Sequence, residues 1–495
     1  MDEVEQLLAS IPKKLRESAE RAAGLIEKSR SVTVATHIDA DGISAAAIAI
    51  ASLKRMNISS DVRFLKKLDP DAIKTLRSLN ADLIWFTDLG SGSISKIEGM
   101  KAIVSDHHVP DSKFHGQQRT GQALLTDFST VQHVNPETHG ISGASDLSGA
   151  GSTLLVALAS DSRNMDLSPL AILGAIGDLQ DQRTRRLEGL NRQILLSAKS
   201  LGLVSAEEDI RYFGRETRPI HKLLEYSSDP FLPRISGNEE GAIGFLLELG
   251  IELKDGDSWR SWTDLSEPER KTIISALKEH LESSRKRPEV IDRLVGEVYS
   301  FPKEKHGIPV RDAKEFATLL NACGRHGKGE VGLRICLGDR KEAMTEGEAL
   351  LRDHRSALSK ALTWAKGSGV IRMKNIQFFD AGDEIEDTIV GIVAGMLLGS
   401  EGSDRSAPMV AFAESTEFSE APNMKASARG TQELVRHGMD LSIAIRTAAE
   451  KVGGVGGGHN IAAGATIPAA KRDEFLAVLD QIVGSQLLRR IQQRG

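Results

Sequence analysis

The chain has 495 residues, of which 40% are hydrophobic, 27% are charged and only 4% are aromatic. This length predicts about three domains, since a domain takes roughly 150 residues, and the composition is that of an ordinary globular protein. The net charge of -6 excludes a surface that is basic throughout, although it allows a local basic groove. The few aromatic residues exclude a base-binding surface built mainly of rings.

Cysteine usage and hydropathy predict the setting of the protein. The two cysteines, Cys323 and Cys336, form neither a zinc motif nor a disulfide framework, which favours a reducing, cytoplasmic setting. No uncharged apolar run reaches the roughly 18 residues that a membrane span needs. We therefore expect no membrane contact.

The first 201 residues alternate between strand and helix patterns. An amphipathic helix is predicted before Arg30, and the Ala-rich stretch after Gly42 predicts a buried helix. Four β-branched or apolar runs predict strands over Val32–Thr36, Asp61–Leu65, Asp82–Thr87 and Ala102–Ser105. This βαβα rhythm predicts an α/β fold with a doubly wound, mostly parallel sheet.

Polar residues follow three of these four strands. They are Asp39 and Asp41 after the first strand, Asp88 after the third, and Asp106, His107 and His108 after the fourth. A single aspartate in such a place is typical of a helix cap or a turn. The joint pattern instead indicates one site, because the carboxyl ends of parallel strands meet at the same edge of a sheet.

The donor types indicate a metal site. Carboxylates this close repel each other unless a cation lies between them, and carboxylates with imidazole suit Mn²⁺ or Mg²⁺ better than zinc. Four carboxylates balance two divalent ions, which in phosphoryl transfer stabilise the attacking and the leaving oxygen. Asp178, after the apolar helix pattern LSPLAILGAIG, is the fourth candidate, although its spacing alone fits a turn residue as well.

Several roles stay open for the histidines. His107 and His108 are adjacent and should point in different directions, so one can bind metal while the other contacts the phosphate or protonates the leaving group. One of the two could instead only hold the turn. His37 fits a metal ligand, a residue that supports a ligand, or a turn residue equally well.

The rest of the chain divides by composition. Residues 202–345 are richer in charge and carry no recognisable chemistry. Helices predicted over Ser266–Glu282 and Pro288–Val298 indicate a mostly helical region. Residues 346–495 predict a smaller α/β domain. Its run GGVGGGHN fits a flexible linker or a turn that holds His459 near a ligand. We favour the turn, since apolar residues follow directly and its backbone N–H groups can bind phosphate oxygens.

Several stretches carry a family resemblance. HIDADG (37–42), TDLGSG around Asp88, DHH (106–108) and GAIGD ending at Asp178 resemble the four motifs of the DHH phosphoesterase superfamily. HVNP (133–136) and SGAG (148–151) resemble further recurring stretches of its first domain, and GGGHNIAAGA (456–465) resembles the signature of its partner domain, DHHA1. THIDADGI and EFATLLNACGR resemble the archaeal RecJ-type exonucleases, including those that associate with the GINS replisome complex.

The resemblance implies roles for individual residues. The implied ligands of two Mn²⁺ ions, with Mg²⁺ as the alternative, are Asp39, Asp41, Asp88, His107 and Asp178. The implied catalytic residues are His108, which contacts the scissile phosphate, and Asp106, which orients its neighbours; we group His37 with them. The implied substrate-binding residues are Ser427, Arg429, Gly456, Gly457, Gly458 and His459. Some family members carry a ligand histidine at the position of Ala35, which leaves the ligand set of the first metal open.

The resemblance also implies the domain order and the reaction. Residues 1–201 would form the DHH catalytic domain, 202–345 the inserted docking region and 346–495 the DHHA1 domain. We expect a metal-dependent exonuclease that hydrolyses single-stranded DNA or RNA in replication or repair, with a GINS-type replisome complex as a further partner. The alternatives are an oligoribonuclease or cyclic-dinucleotide phosphodiesterase, and a replisome scaffold; the complete ligand set speaks against a purely structural role.

Overall fold

The computed structural model describes residues 3–79, 81–111, 130–400, 402–415 and 422–492. The chain forms two compact units, residues 1–351 and 352–495. The middle region predicted for residues 202–345 lies within the first unit. The finer domain limits at residues 201 and 345 stay a prediction.

A five-stranded sheet forms the centre of the first unit. Its strands are β1 (Ser31–His37), β2 (Ser59–Leu65), β3 (Leu83–Thr87), β4 (Ala102–Ser105) and β5 (Val131–Val134). They lie in the order β2-β1-β3-β4-β5, and every neighbouring pair is parallel. The predicted parallel sheet is therefore confirmed. Sequence analysis missed β5, because four partly exposed residues are too few to show a periodic pattern.

Helices cover both faces of this sheet. The helices around it are α1 (Glu3–Ser10), α2 (Lys13–Glu27), α3 (Ala40–Arg55), α4 (Pro70–Arg77), α5 (Gly149–Ser160), α6 (Ser168–Gly177) and α7 (Gly189–Ser200). Val34 and Trp85 pack into a large apolar cluster on one face, whereas Ala35 and Phe86 pack into a smaller cluster on the other. This alternation follows from the two-residue period of a strand. α3, α5 and α6 are almost entirely buried because nearly all their residues are small or apolar.

The middle region combines helices with two pairs of short strands. Its strands are β6 (Ser205–Ile210), β7 (Lys254–Asp255), β8 (Ser258–Trp259) and β9 (Val295–Ser300), and its helices are α8 (Ile220–Glu225), α9 (Glu239–Glu248), α10 (Glu267–Ser283) and α11 (Pro288–Ile291). An apolar core of its own, which includes the buried Trp262, holds the region together. α12 (Ala313–Arg325) and α13 (Gly329–Cys336) follow it.

One predicted helix of the middle region is partly wrong. The helix predicted over Pro288–Val298 ends at Ile291, and the stretch VGEVYS forms β9 instead. β9 pairs antiparallel with β6 from a distant part of the chain. Its β-branched and aromatic residues suit a strand, but only the presence of that partner decides between the two structures.

The second unit contains a six-stranded sheet, as predicted for a smaller α/β domain. Its strands are β10 (Ile371–Arg372), β11 (Gln377–Asp380), β12 (Met409–Glu414), β13 (Asn423–Arg429), β14 (Val455–Gly458) and β15 (Ala462–Pro468), in the order β10-β11-β12-β13-β15-β14. The long helix α14 (Glu342–Ser368) precedes them, and the other helices are α15 (Val390–Gly399), α16 (Gln432–Arg436), α17 (Leu441–Lys451) and α18 (Arg472–Gln492). Only β11 and β12 pair in parallel among the described strands of this sheet.

The glycine run of the second unit is not the turn that the sequence predicted. Gly456, Gly457 and Gly458 lie in β14, and His459 begins the turn that leads to β15. The reason is close packing: a Cβ atom at Gly456 would lie 3.1 Å from Ile445 and 3.2 Å from Ala449, both on α17. Glycine therefore lets this strand approach a helix.

α12 approaches the segment after β1 so closely that the contacting residue of α12, Gly324, must be glycine. A Cβ atom at Gly324 would overlap the carbonyl oxygen of Ile38. We expect Gly324→Ala to lower the free energy of unfolding by about 1–3 kcal/mol, the usual cost of overpacking, because backbone must move to admit the methyl group.

Gly24→Ala in α2 is the matched control. No described atom lies within 4 Å of a Cβ atom at this position, so loss of a helical glycine should stabilise the protein by about 0.5–1 kcal/mol. Urea unfolding followed by circular dichroism measures both variants. Equal effects of the two substitutions would contradict the close approach of α12.

Candidate functional site

Polar side chains from the ends of β1, β3 and β4 meet at one edge of the sheet. Three overlapping groups each place one potential ligand atom per residue within 4.8 Å of the others. The groups are His37, Asp39 and Asp88; Asp41, His107 and Asp178; and Asp88, Asp106, His107 and His108. The structure thus brings together all eight residues that the sequence singled out as ligands or catalytic groups. We call these eight side chains the metal cluster, meaning the residues that could hold metal ions. Asp88 and His107 each belong to two of the groups and therefore connect them.

The segment between β1 and α3 holds Asp39 in place. Oδ1 of Asp39 caps α3 by accepting a hydrogen bond from the amide of Gly42 at 3.0 Å. Its Oδ2 lies 2.7 Å from Nδ1 of His37, and that nitrogen is 3.8 Å from Oδ2 of Asp88. Burial opposes ionisation of Asp39, but the neighbouring His37 imidazole outweighs it and lowers the pKa of this carboxyl below its usual value.

Asp41 is completely buried against the N-terminus of α5. Its two carboxylate oxygens accept hydrogen bonds from the amides of Gly149 at 2.7 Å and Ala150 at 2.9 Å. Amides at a helix N-terminus carry partial positive charge and stabilise an anion. Gly174 of α6 provides the space, because a Cβ atom there would overlap Oδ1 of Asp41.

Asp88 is the least satisfied member of the metal cluster. Its backbone is left-handed, with φ of 56°, a conformation that aspartate tolerates better than most residues. Its amide donates to the carbonyl oxygen of Ser105 at 2.9 Å. Both carboxylate oxygens are buried, and neither has a hydrogen-bond partner among the residues that the structure describes. Such a carboxylate is costly unless a cation neutralises it.

His107 faces three carboxylates with one ring nitrogen. The distances from its Nε2 to the nearest carboxylate oxygens are 3.2 Å for Asp88, 3.2 Å for Asp178 and 3.8 Å for Asp41. Nδ1 lies 2.6 Å from the carbonyl oxygen of Gly143, to which Gln180 also donates at 2.8 Å. A carbonyl oxygen can only accept, so Nδ1 carries a proton, and Nε2 is the atom left for a metal.

Asp106, the first residue of the DHH segment, is buried and holds the other two residues in place by several hydrogen bonds. Oδ1 of Asp106 accepts from the amide of His107 at 2.7 Å and lies 2.8 Å from Nδ1 of His108, while Oδ2 accepts from the amide of Ser91 at 2.8 Å. The His108 side chain is 43% exposed. It is therefore the member of this segment that can reach a substrate.

Sequence analysis missed several residues that support the metal cluster. Asn135 donates to the carbonyl oxygen of His108 at 2.9 Å and to Oγ of Ser91 at 2.7 Å, and this Oγ lies 2.8 Å from Nε2 of His133. The motif HVNP contains His133 and Asn135, but nothing in it says that they reach the DHH segment. The sequence around Gln180 contains no pattern that predicts a role for it, apart from its position two residues after Asp178.

Burial and mutual repulsion shift the acidities of the metal cluster. Burial, together with the charge of Asp178, raises the pKa of Asp41 to about 7. Burial and the charges of Asp41 and Asp39 raise the pKa of Asp88 well above its usual value. Burial lowers the pKa of the His107 imidazole, but the neighbouring Asp178 and Asp88 carboxylates outweigh it and leave this pKa well above the usual value. The site attracts protons near neutral pH and can exchange them for a cation.

The donors fit divalent cations of the Mn²⁺ or Mg²⁺ type. Carboxylate oxygens predominate and imidazole nitrogen is present. Asp88, whose two oxygens are unsatisfied, belongs to two of the three groups. Ala35, at the position where some family members carry a histidine, is buried in the apolar cluster below the sheet edge. His37 belongs to the metal cluster, in one group with Asp39 and Asp88.

In the second unit, the predicted substrate-binding residues lie on neighbouring strands. Ser427 and Arg429 are on β13; Ser427 pairs with Gly464 of β15, which in turn pairs with Gly457 of β14. A Cβ atom at Gly391 in α15 would lie 2.6 Å from a guanidinium nitrogen of Arg429 and 3.1 Å from Oγ of Ser427. Sequence analysis missed Gly391, because only the packing of α15 on the sheet brings it to these side chains.

Comparisons with known proteins agree with the fold. The family model of the DHH-CID domain matches residues 212–295, within the middle region, and that of the DHHA1 domain matches residues 373–485. The uncharacterized protein MJ0831 of Methanocaldococcus jannaschii is 30% identical over 463 residues, which cover 92% of this chain and 94% of that protein. These matches, together with the fold, define its class as the DHH phosphoesterases. The chain belongs to the DHH/DHHA1 family.

Two solved structures share its fold. RecJ of Thermus thermophilus in complex with Mn²⁺ is 19% identical with a TM-score of 0.56, over 97% of this chain and 57% of that one, so this chain spans little more than half of that RecJ. CDC45 of Entamoeba histolytica is 11% identical with a TM-score of 0.58, over 95% of this chain and 97% of that one. The predicted RecJ-like fold is confirmed. No helix within the described ranges is both long and apolar enough to cross a bilayer.

The unsatisfied charge of Asp88 opposes stability in the absence of metal. We expect Asp88→Asn to raise the free energy of unfolding of the metal-free protein by about 1–3 kcal/mol, because a neutral amide tolerates burial better and asparagine accepts the left-handed backbone. The same substitution should remove most of the increase in melting temperature that Mn²⁺ causes in the wild type.

Thermal unfolding with Mn²⁺ and with a chelator measures both effects. Asp257→Asn, at the exposed turn between β7 and β8, is the control and should change neither melting temperature. If Asp88→Asn melts below the wild type in chelator, the carboxylate stabilises the fold and the interpretation is wrong.

The raised pKa of Asp41 makes metal affinity depend on pH. The usual pKa is 3.8 and that of folded Asp41 is about 7, so between these values the metal-free folded protein holds a proton that the unfolded chain has lost. This carboxyl therefore destabilises the metal-free fold increasingly as pH rises from about 4 to about 7, and a cation must displace its proton.

We expect the affinity for Mn²⁺ to rise by up to about tenfold per pH unit between about pH 5.5 and about pH 7, and to level off above. Isothermal titration calorimetry at several pH values measures this dependence. Repeating the titration in buffers of different ionisation enthalpy also gives the number of protons that the protein releases when Mn²⁺ binds. An affinity that stays constant over the range would show that Asp41 is already ionised.

Proposed function

We propose that this protein is a metal-dependent exonuclease that hydrolyses phosphodiester bonds of single-stranded DNA or RNA, with a role in DNA replication or repair. The observation that carries the proposal is the buried metal cluster, in which the oxygens of Asp88 lack hydrogen-bond partners within the described ranges. Membership of a phosphoesterase family supports it. So does the shared fold with an exonuclease RecJ that was solved with manganese.

In this proposal the metal cluster holds two divalent cations. Their ligands are Asp39, Asp41, Asp88, His107 and Asp178, with Asp88 shared between the two ions. When bound, such ions supply Lewis acidity and an activated water for attack at phosphorus. We propose Mn²⁺ as the preferred ion and Mg²⁺ as the alternative, since RecJ of Thermus thermophilus was solved with each.

The other residues of the site position and protonate the substrate. His108 is exposed and hydrogen-bonded through Nδ1 to Asp106, so it can contact the scissile phosphate and give a proton to the leaving oxygen. Asp106 and Asn135 hold the DHH segment from two sides. His37 orients Asp39 through the contact at 2.7 Å.

The second unit supplies contacts to the nucleic-acid backbone. Arg429 offers a charged fork for phosphate, Ser427 a hydroxyl donor, and His459 with Gly456–Gly458 a set of side-chain and amide donors. These contacts do not read bases, so binding should be independent of sequence and should weaken as salt rises. Such binding suits an enzyme that shortens a strand one unit after another.

A specific observation supports each alternative function. The match to the DHHA1 domain and to the superfamily fits an oligoribonuclease or cyclic-dinucleotide phosphodiesterase equally. The fold shared with CDC45 of Entamoeba histolytica supports a role as a structural partner in a replisome, and a GINS-type complex is the partner that we propose for it. The complete metal cluster favours an enzyme, since a scaffold has no use for buried carboxylates that repel each other.

The test is digestion of an end-labelled single-stranded oligonucleotide, with DNA and RNA in parallel. We expect stepwise shortening with Mn²⁺, slower or equal shortening with Mg²⁺, and none with chelator. Asp88→Asn should reduce the rate by more than about a hundredfold, because it removes a shared metal ligand. Asp257→Asn should cleave like the wild type.

The label position and a second substrate separate the alternatives. Loss of a 5′ or a 3′ label first reports the polarity of cleavage. Hydrolysis of dinucleotides but not of long strands would replace the exonuclease with the small-substrate enzyme. Hydrolysis of neither by folded, metal-loaded protein would contradict an enzymatic function and favour the replisome scaffold.

A further inference from the structure

The first unit contains a cavity apart from the metal cluster. Its volume is about 320 Å³, within the range of small-molecule sites, roughly 300–1,000 Å³. Its walls come from the segment after α6, the segments after β6 and α8, and one face of α12. None of the eight residues of the metal cluster lines it.

Positive charge predominates around this cavity. Its charged lining residues are Arg185, Arg211, Arg293, Lys314 and Asp229. Arg211 is neutralised by the buried Asp181 at 2.8 Å. Asp229 pairs with Arg293 at 2.9 Å, but both side chains are largely exposed, and such a pair is weak enough to open for a stronger anion.

Arg185 and Lys314 leave positive charge available to a ligand. The Arg185 guanidinium has no hydrogen-bond or ion-pair partner among the described residues, although the residue is only partly exposed. Nζ of Lys314 donates to the carbonyl oxygen of Arg211 at 3.2 Å. The carboxylates whose charge acts on it, Asp181 and Asp312, already pair with Arg211 and Arg215. Burial lowers the pKa of this ammonium. An anion in the cavity would compensate both charges.

The remaining walls offer apolar surface to a planar ring. Tyr226 and Leu179 line the cavity and are 55% and 54% exposed. Tyr212 and Phe213 also line it. Aromatic rings bind nucleobases by stacking, whatever the base. Cations beside an aromatic wall suit a ligand that carries both an anionic group and a ring.

We propose that this cavity binds a nucleoside monophosphate. Its phosphate contacts Arg185, Arg293 and Lys314, and its base lies against Tyr226 and Leu179. Inorganic phosphate would contact the same cationic side chains but would leave the apolar wall uncovered. This function goes beyond the proposed nuclease, and its test needs neither metal nor hydrolysis.

The cavity shares segments with the metal cluster without entering it. Gly177 and Leu179, on either side of Asp178, line the cavity. Asn321 of α12 lines it too, and its Oδ1 accepts a hydrogen bond from the amide of Ala40 at 3.0 Å. A nucleotide in the cavity would therefore contact the segment that carries Asp178, and it would contact Asn321, which binds the segment that carries Asp41.

The test is calorimetric titration of the full chain with AMP, dAMP and inorganic phosphate in the presence of chelator. We expect one nucleotide per chain, bound more tightly than phosphate. Arg185→Gln and Arg293→Gln should each weaken nucleotide binding about ten- to hundredfold, the effect of one charged hydrogen bond. Tyr226→Leu should weaken nucleotide binding at least about fivefold and leave phosphate binding unchanged.

Controls separate this cavity from other nucleotide sites. Arg186→Gln changes an exposed neighbour outside the cavity and should bind like the wild type. Asp88→Asn and Arg429→Gln should also retain binding, since neither residue lines the cavity. Arg293 is exposed, so Arg293→Gln should fold even if Arg185→Gln does not.

Four results would overturn the proposal. The first three are absence of nucleotide binding to folded wild type, equal binding by Arg293→Gln and wild type, and phosphate binding as tight as that of AMP. Loss of binding in Asp88→Asn would move the nucleotide to the metal cluster and overturn it as well. Failure of the nuclease assay alone would leave the cavity unaffected, because binding is measured without metal.

Discussion

Repulsion among buried carboxylates is the constraint on which the sheet edge depends. Asp41, Asp88 and Asp178 surround one nitrogen of His107, and all of these side chains except that of Asp178 are buried. Left alone, these groups would separate or take up protons. The fold holds them together with the helix N-terminus of α5 at Asp41 and with the carbonyl of Gly143 behind His107. The two carboxylate oxygens of Asp88 remain without hydrogen-bond partners among the described residues, and a cation would bind there.

Close packing of backbone makes this arrangement possible. A Cβ atom at Gly149 would overlap Asp88, one at Gly174 would overlap Asp41, and one at Gly143 would overlap the carbonyl oxygen of His107. These glycines serve to bring helices and loops within contact distance of the carboxylates. The metal cluster therefore depends on these glycines as well as on its acidic residues.

The middle region is tied to the same edge of the sheet. Arg215 binds Asp209 at 2.7 Å and Asp312, the N-cap of α12, at 3.3 Å. The other end of α12 contacts the segment after β1 through Asn321 and Gly324. A region without recognisable chemistry in its sequence thus supports the helix that borders both the metal cluster and the cationic cavity.

Sequence alone determined the parallel sheet, the family and the meeting of the acidic and histidine side chains at one edge of the sheet. Most signals were local: strand runs that end in Asp39, Asp88 and the DHH segment. The carboxyl ends of parallel strands must share an edge, so the sequence was enough to bring these residues together. Asp178 depended on the family resemblance, because its spacing fits a turn residue as well.

Tertiary structure alone decided the features that depend on distant partners. VGEVYS became a strand because β6 lies beside it, and the glycine run became β14 because α17 packs against it. Gln180, Asn135 and Gly391 join their sites only through packing, and the cationic cavity is lined by segments far apart in the chain. Local patterns report a residue's own backbone preference, whereas these contacts depend on which elements the fold places side by side.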